Sequence, residues 1–154
     1  MNIFKLTFYS FLFLISYSTK AQNLSINSLI ELFYLDIVQS ENFLSKYKFT
    51  YVKSYEGTNG LNYLVFDYVE NNKLIGKIAK TYNKNVLTNF VDQDFFNRNR
   101  KYIYVEELIK LGFKKSNSYL DGERIIEKYY KGILEVSITT KPNNNFNIQI
   151  NKKI

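Results

Sequence analysis

Leu134-Glu135-Val136-Ser137-Ile138-Thr139 and Phe146-Asn147-Ile148-Gln149-Ile150-Asn151 alternate apolar and polar residues with a period of two. That is the pattern of a strand with one buried face and one wet face. Two such strands joined by a short loop predict an antiparallel pair. The loop, Lys141-Pro142-Asn143-Asn144-Asn145, holds the chain's only proline. Upstream, Lys114 to Lys131 reads as another strand pair around the Asp-Gly turn of Tyr119-Leu120-Asp121-Gly122, and Gly132 separates it from Leu134.

Before these strands the period changes to that of a helix. Phe95, Tyr102, Val105, Leu108, Ile109 and Leu111 supply an apolar stripe for a helix over 95–111, with Asp92-Gln93-Asp94 as N-cap residues. Gly112 suits the left-handed residue that ends a helix, and Phe113 would fold back on the core. Earlier still, Phe49, Tyr51 and Val52, then Leu61 to Val69, Leu74 to Tyr82 and Val86 to Val91 read as strands. Glu56–Gly60, Glu70–Lys73 and Asn83–Asn85 are the turns between them. Asn23 to Lys46 reads as helical. Ser28-Leu29-Ile30-Glu31 has the spacing of a capping box, Leu24 can staple the entry, and Asp36 can begin a second helix.

The halves share features at an offset of 64. Lys46-Tyr47-Lys48-Phe49 falls on Lys110-Leu111-Gly112-Phe113, Leu44 on Leu108, and Ser54-Tyr55 on Ser118-Tyr119. Duplication and chance likeness both stay open. The expected fold is α+β. An antiparallel sheet of about six to eight strands is covered on one face by two helical segments, with room for two similar αβ halves.

Residues 1–21 read as a segment removed before folding. Met1 to Lys5 is a short cationic start, Leu6 to Tyr17 is uncharged and mostly apolar, and Thr19-Lys20-Ala21 ends on a small residue. This is the order of a cleavable signal peptide, with the cut before Gln22. The apolar run is short for a membrane span and carries Thr7, Ser10 and Ser16. Residues 22–154 then form one domain, secreted or periplasmic, with no integral membrane segment. Loss of Lys5 and Lys20 lowers the formal charge from +7 to +5.

Composition excludes several chemistries. The chain has no Cys and no His. Disulfides, Ser-His-Asp triads, Cys-His pairs and zinc sites with His or Cys ligands are therefore absent. No Asp-rich calcium loop and no glycine-rich phosphate loop occurs, so neither metal nor cofactor is expected. The basic residues are scattered, which argues against nucleic-acid binding.

Several short motifs carry a resemblance. Lys20-Ala21-Gln22, the Leu29 to Leu32 helix, Leu111-Gly112-Phe113 and the Tyr129 to Ile138 segment resemble small, uncharacterised exported proteins of the Bacteroidota. The resemblance covers most of residues 22–154. It implies export and an α+β fold, and it brings no activity with it.

Two functional classes follow. The first is a non-enzymatic binding protein for a protein, peptide or glycan, a monomer or weak dimer, with tyrosine-bearing strands as its contact surface. Tyr51, Tyr63, Tyr68, Tyr129 and Tyr130 are the binding candidates, and Tyr55 and Tyr119 belong to the same set. The alternative is a small glycan hydrolase using carboxylates alone, drawn from Asp67, Glu123, Glu127 and Glu135. Glu127 and Glu135 fall in adjacent strands, where they would be neighbours. Ser45-Lys46, Lys53-Ser54 and Lys115-Ser116 are the histidine-free Ser-Lys options.

Overall fold

The structure is a computed structural model that describes residues 24–57, 62–82, 91–95, 100–143 and 145–152. The chain is α+β with antiparallel strands. Three helices are described: α1 (Ile26–Tyr34), α2 (Ile37–Lys46) and α3 (Lys101–Lys110). The strands are β1 (Thr50–Glu56), β2 (Asn62–Glu70), β3 (Lys73–Tyr82), β4 (Val91–Phe95), β5 (Lys114–Asp121), β6 (Arg124–Lys131), β7 (Leu134–Thr140) and β8 (Phe146–Lys152). β1-β2-β3 form one antiparallel run, and β5-β6-β7-β8 form another. The five-residue β4 lies between them, paired with β3 on one side and β8 on the other. The spatial order is thus β1-β2-β3-β4-β8-β7-β6-β5.

The first helical segment divides at Asp36, where Gln39 N–H donates to Asp36 Oδ1 at 2.8 Å and Gln39 Oε1 accepts from Asp36 N–H at 3.2 Å. This reciprocal cap satisfies two donors that a helix start leaves free. α1 begins earlier than the Ser28 box predicts. Its N-cap is Ser25, whose Oγ accepts from Ser28 N–H at 3.1 Å. The extra turn is secured from outside the segment, because Glu107 on α3 accepts from Ile26 N–H at 2.8 Å.

The stretch between β3 and α3 departs from expectation. The strand expected over Val86 to Val91 meets the observed β4 only at Val91, and residues 86–90 lie outside the described residues. Asp92-Gln93-Asp94 does not cap a helix, since all three residues pair in β4 with both neighbours. α3 begins six residues later than Phe95, at Lys101, after an N-cap Arg100 that makes no side-chain cap bond. β3 and β8 each leave a row of backbone donors and acceptors facing the other. A strand between them satisfies both rows, and that requirement overrides the turn-forming preference of Asp-Gln-Asp. Tyr102 and Ile109 of the expected stripe are exposed. Tyr104 and Leu108 are the buried residues of α3.

The two halves use the same local devices. Lys48 and Gly112, 64 positions apart, both have positive φ, at 63° and 83°. Phe49 N–H donates to Leu44 O at 3.1 Å, and Phe113 N–H donates to Leu108 O at 2.9 Å. Both are six-to-one closures of a helix end. β1 bulges between Tyr51 and Lys53, and β5 bulges between Lys115 and Asn117, again 64 apart. The strand order reads the same from either edge once β5–β8 are set on β1–β4. α1 breaks this symmetry, lying over the middle of the molecule against α3, β4 and β8.

The cap pair makes a direct prediction. A lysine in the left-handed region carries a steric cost that glycine avoids. Lys48→Gly is expected to raise stability by about 1 kcal/mol, and Gly112→Ala to lower it by about 1 kcal/mol. Urea midpoints of the two variants that moved in the same direction would refute the equivalence of the caps.

The described helices all lie on one side of the sheet. Leu64, Phe66 and Tyr68 of β2, Ile78 of β3, Tyr129 of β6, Val136 and Ile138 of β7 and Phe146, Ile148 and Ile150 of β8 meet Leu24, Leu29, Leu32, Phe33, Leu44 and Leu108 in one core. Lys80 is the exception within it. Its register partner is Leu64, so it points to the helix side, where it is 1% exposed. Its Nζ donates to Leu32 O at 2.5 Å and to Leu35 O, at the carbonyl end of α1.

Candidate functional site

Residues directly opposite in an antiparallel pair share a face, so the ladder assigns each side chain. Tyr55 pairs with Tyr63, Lys53 with Val65 and Asp67 with Lys77, all on the face away from the helices. At the other edge Tyr119 pairs with Ile126 and Tyr130 with Glu135 on that same face.

This open face has aromatic residues near each edge. The Tyr55 and Tyr63 rings stack at 4.8 Å and 4°, with Lys53 Nζ 5.6 Å from the Tyr55 ring. Toward the opposite edge Tyr119 pairs with Ile126, and Tyr130 stands on the same face four residues further along β6, about 13 Å away. Seven inter-strand spacings separate β1 from β5, about 34 Å. Polar side chains lie between, among them Lys77, Asn147, Gln149 and Ser137.

Of the binding candidates, Tyr63 and Tyr130 stand on the open face. Tyr68 and Tyr129 do not. They point to the helix side and are 4% and 2% exposed, which corrects their assignment as contact residues. Tyr51 is exposed at the β1 edge but also faces the helix side, with its ring edge-on to Phe66 at 5.7 Å. The parity was legible in part. Tyr129 and Tyr130 are adjacent on one strand, so only one of them can join any given face.

The carboxylates separate in the same way. Glu135 is on the open face, whereas Glu127 pairs with Ile138 and points to the helix side. The expected Glu127–Glu135 neighbourhood is therefore absent, because residues of opposite parity occupy opposite sides of the sheet. Asp67 shares the open face with Glu135, but four strand spacings lie between β2 and β7, about 19 Å. Paired glycosidase carboxylates stand about 5–9.5 Å apart. Glu123 sits exposed in the β5–β6 turn.

Each of these acids has a bland partner set. Asp67 pairs with Lys77 at 3.6 Å. Glu135 accepts from Tyr130 Oη at 2.5 Å and from Ser137 Oγ at 3.2 Å, and it pairs with Lys128 at 3.3 Å. Burial works against its charged form, but those donors outweigh burial and hold the carboxyl below its ordinary range. Glu127 meets the ammonium of Lys101, and that of Lys115 at 2.6 Å. There too burial is outweighed, and the carboxyl is held low. Neither acid is kept protonated as a general acid must be. None of the three expected Ser-Lys pairs forms a dyad: Lys53 and Ser54 face opposite sides, Ser45 donates to Asn42 O, and Lys115 is engaged by Glu127. Among the described residues no group of three or more acids could hold a metal ion, and no helix is long and apolar enough to cross a membrane.

Glu127 is a structural ion, and its loss has a calculable sign. By strand register it occupies the place that Leu64 fills in the first half. Glu127→Leu is expected to cost about 2 kcal/mol, because Lys101 keeps a largely buried ammonium that has lost its counterion. Adding Lys101→Met should recover most of that loss. Equal urea midpoints for the single and double variants would count against the coupling.

The chain matches no protein family, and comparison with curated proteins and with solved structures finds no significant likeness.

Proposed function

We propose that this is an exported binding protein, secreted or periplasmic. It would hold a protein, peptide or glycan partner on the open face of its sheet and catalyse nothing there. The observation that carries the proposal is the stacked pair Tyr55 and Tyr63 near one edge, with Tyr119 and Tyr130 toward the other, on the sheet face that none of the described helices covers. Tyrosine supplies contact area at small entropic cost while its hydroxyl stays wet, which suits the exposed parts of this face; Val65 and Ser137 elsewhere on it are buried. The export half of the proposal rests on the cationic, apolar and small-residue order of residues 1–21, which lie outside the described residues.

Both sheet edges support a monomeric form. β1 and β5 each carry a bulge, with Lys53 flanking one and Lys115 the other. Bulges and edge lysines discourage pairing between chains.

The test is affinity capture by the protein from Gln22 onward, at low and moderate salt, beside the Tyr55→Ala/Tyr63→Ala and Tyr119→Ala/Tyr130→Ala variants. The expected result is a partner retained at moderate salt, with affinity cut at least tenfold in one double variant. Capture that vanishes with salt and ignores both variants would reduce the interaction to general attraction between a cationic protein and anions.

A further inference from the structure

We propose that the helix side carries a second site, a groove that takes a long-chain carboxylate. The groove has a volume of about 510 Å³. That is within the range of small-molecule sites, roughly 300–1,000 Å³. Its walls are Ile30 and Tyr34 of α1, Leu111 and Phe113 beyond α3, and Ile133 and Leu134 at the β6–β7 turn. Being on the side away from the open face, it is independent of the binding surface proposed above.

Two observations identify what is missing from this groove. First, large apolar side chains on two of its walls stand in water: Tyr34 is 57% exposed and Ile133 is 60% exposed. Exposed apolar residues around a hollow are the mark of a place for apolar matter. Second, its charge is one-sided. Lys131 is its one charged lining residue, is exposed, and has no ion-pair partner among the described residues. Asn27 is the other polar side chain on the walls.

An apolar trough with one unneutralised ammonium complements an acyl chain ending in one negative charge. A carboxylate fits that count better than a phosphate ester, whose oxygens are usually gripped by a forked guanidinium or several backbone N–H groups. Here the groove offers a single ammonium. Chain burial would supply most of the affinity, and Lys131 would set the polarity of the head group.

Isothermal titration of the purified protein with saturated fatty acids of eight to fourteen carbons, kept below micelle formation, tests this. The dissociation constant should fall with each added methylene, by up to about fourfold where the methylene is fully buried, until the groove is full, then level off. Lys131→Met should weaken carboxylate binding about two- to fivefold and leave the alcohols of equal length unchanged. Ile133→Asp should weaken both by at least tenfold. Ile133 is exposed in a turn, so the variant should keep the native circular dichroism spectrum. Absence of binding at every chain length, or binding that ignores both substitutions, would overturn the proposal. Sedimentation supplies a further arm: a native dimer that Ile133→Asp converts to monomer would assign the groove to a second copy and overturn it equally.

Discussion

Tyr129→Ala is expected to remove about 3–5 kcal/mol of stability, the range for truncating a buried aromatic ring. Whole domains are stable by about 5–15 kcal/mol, so this variant should sit close to unfolding at 37 °C. The reason lies in its place on β6. Tyr129 pairs with Val136 on the helix side and belongs to the same core as Ile138 and Ile148. Register sets it on Phe66 of the first half, because Tyr51 pairs with Phe66 as Lys115 pairs with Tyr129. Tyr129→Phe should therefore cost less than about 1.5 kcal/mol, since ring volume is kept and one hydroxyl is lost. Tyr63→Ala removes a ring that is partly exposed and stacked on Tyr55, and should cost about 1 kcal/mol. Urea denaturation of the three variants gives the ranking. A Tyr129→Ala loss no larger than that of Tyr63→Ala would mean that Tyr129 is not in the core.

Stability should rise as pH climbs from about 8 toward 10, against the usual trend. The group responsible is Lys80. Burial pushes its pKa down from 10.5 to about 8, with Asp36 opposing part of the shift. In the unfolded chain the amine keeps its proton to about pH 10.4. Below pH 8 both states are charged, and the folded state bears the cost of a buried ammonium. Between pH 8 and 10.4 the unfolded state binds more protons than the folded one, so stability increases with pH. The full span is worth about 3 kcal/mol, as an upper figure.

Other groups act higher and in the opposite sense. The hydroxyls of Tyr104, Tyr129 and Tyr130 are pushed up, the first two chiefly by burial and the third by its bond to Glu135. Lys115 is held up by its hydrogen bond to Glu127, and Lys128 by Glu135 in spite of burial. These contributions fade once pH passes the unfolded values near 10. A maximum near pH 10 is the result. Lys80→Met should abolish the rise between pH 8 and 10 while leaving the decline above it. A native protein with a flat or falling profile over pH 8–10 would exclude the mechanism.

Lys80 also shows where local pattern stops being informative. In Leu74 to Tyr82 it looks like one of the polar residues of a half-exposed strand. Strand register puts it on the face of Ile78, and the α1 carbonyl end seated over β3 buries it there. Asp92-Gln93-Asp94 gives the same lesson, since local preference favours a helix cap and the empty lane between β3 and β8 demands a strand. The groove beside Lys131 was not legible at all, because its walls come from α1, the end of α3 and the β6–β7 turn.

The sequence by itself determined the antiparallel strands other than β4, the turns at Asn71-Asn72 and Asp121-Gly122, the division of the first helical segment at Asp36 and the closure of α3 at Gly112. These depend on contacts a few residues apart, where side-chain period, capping and glycine's freedom act directly. The turns expected over 58–60 and 83–85 lie outside the described residues. The composition also excluded histidine and cysteine chemistry outright. The tertiary structure alone decided which tyrosines are buried, that Glu127 and Glu135 are on opposite sides of the sheet, and that β4 joins the two runs. Those outcomes depend on which face the helices cover and which strand edges need partners, and both are fixed only when distant segments meet.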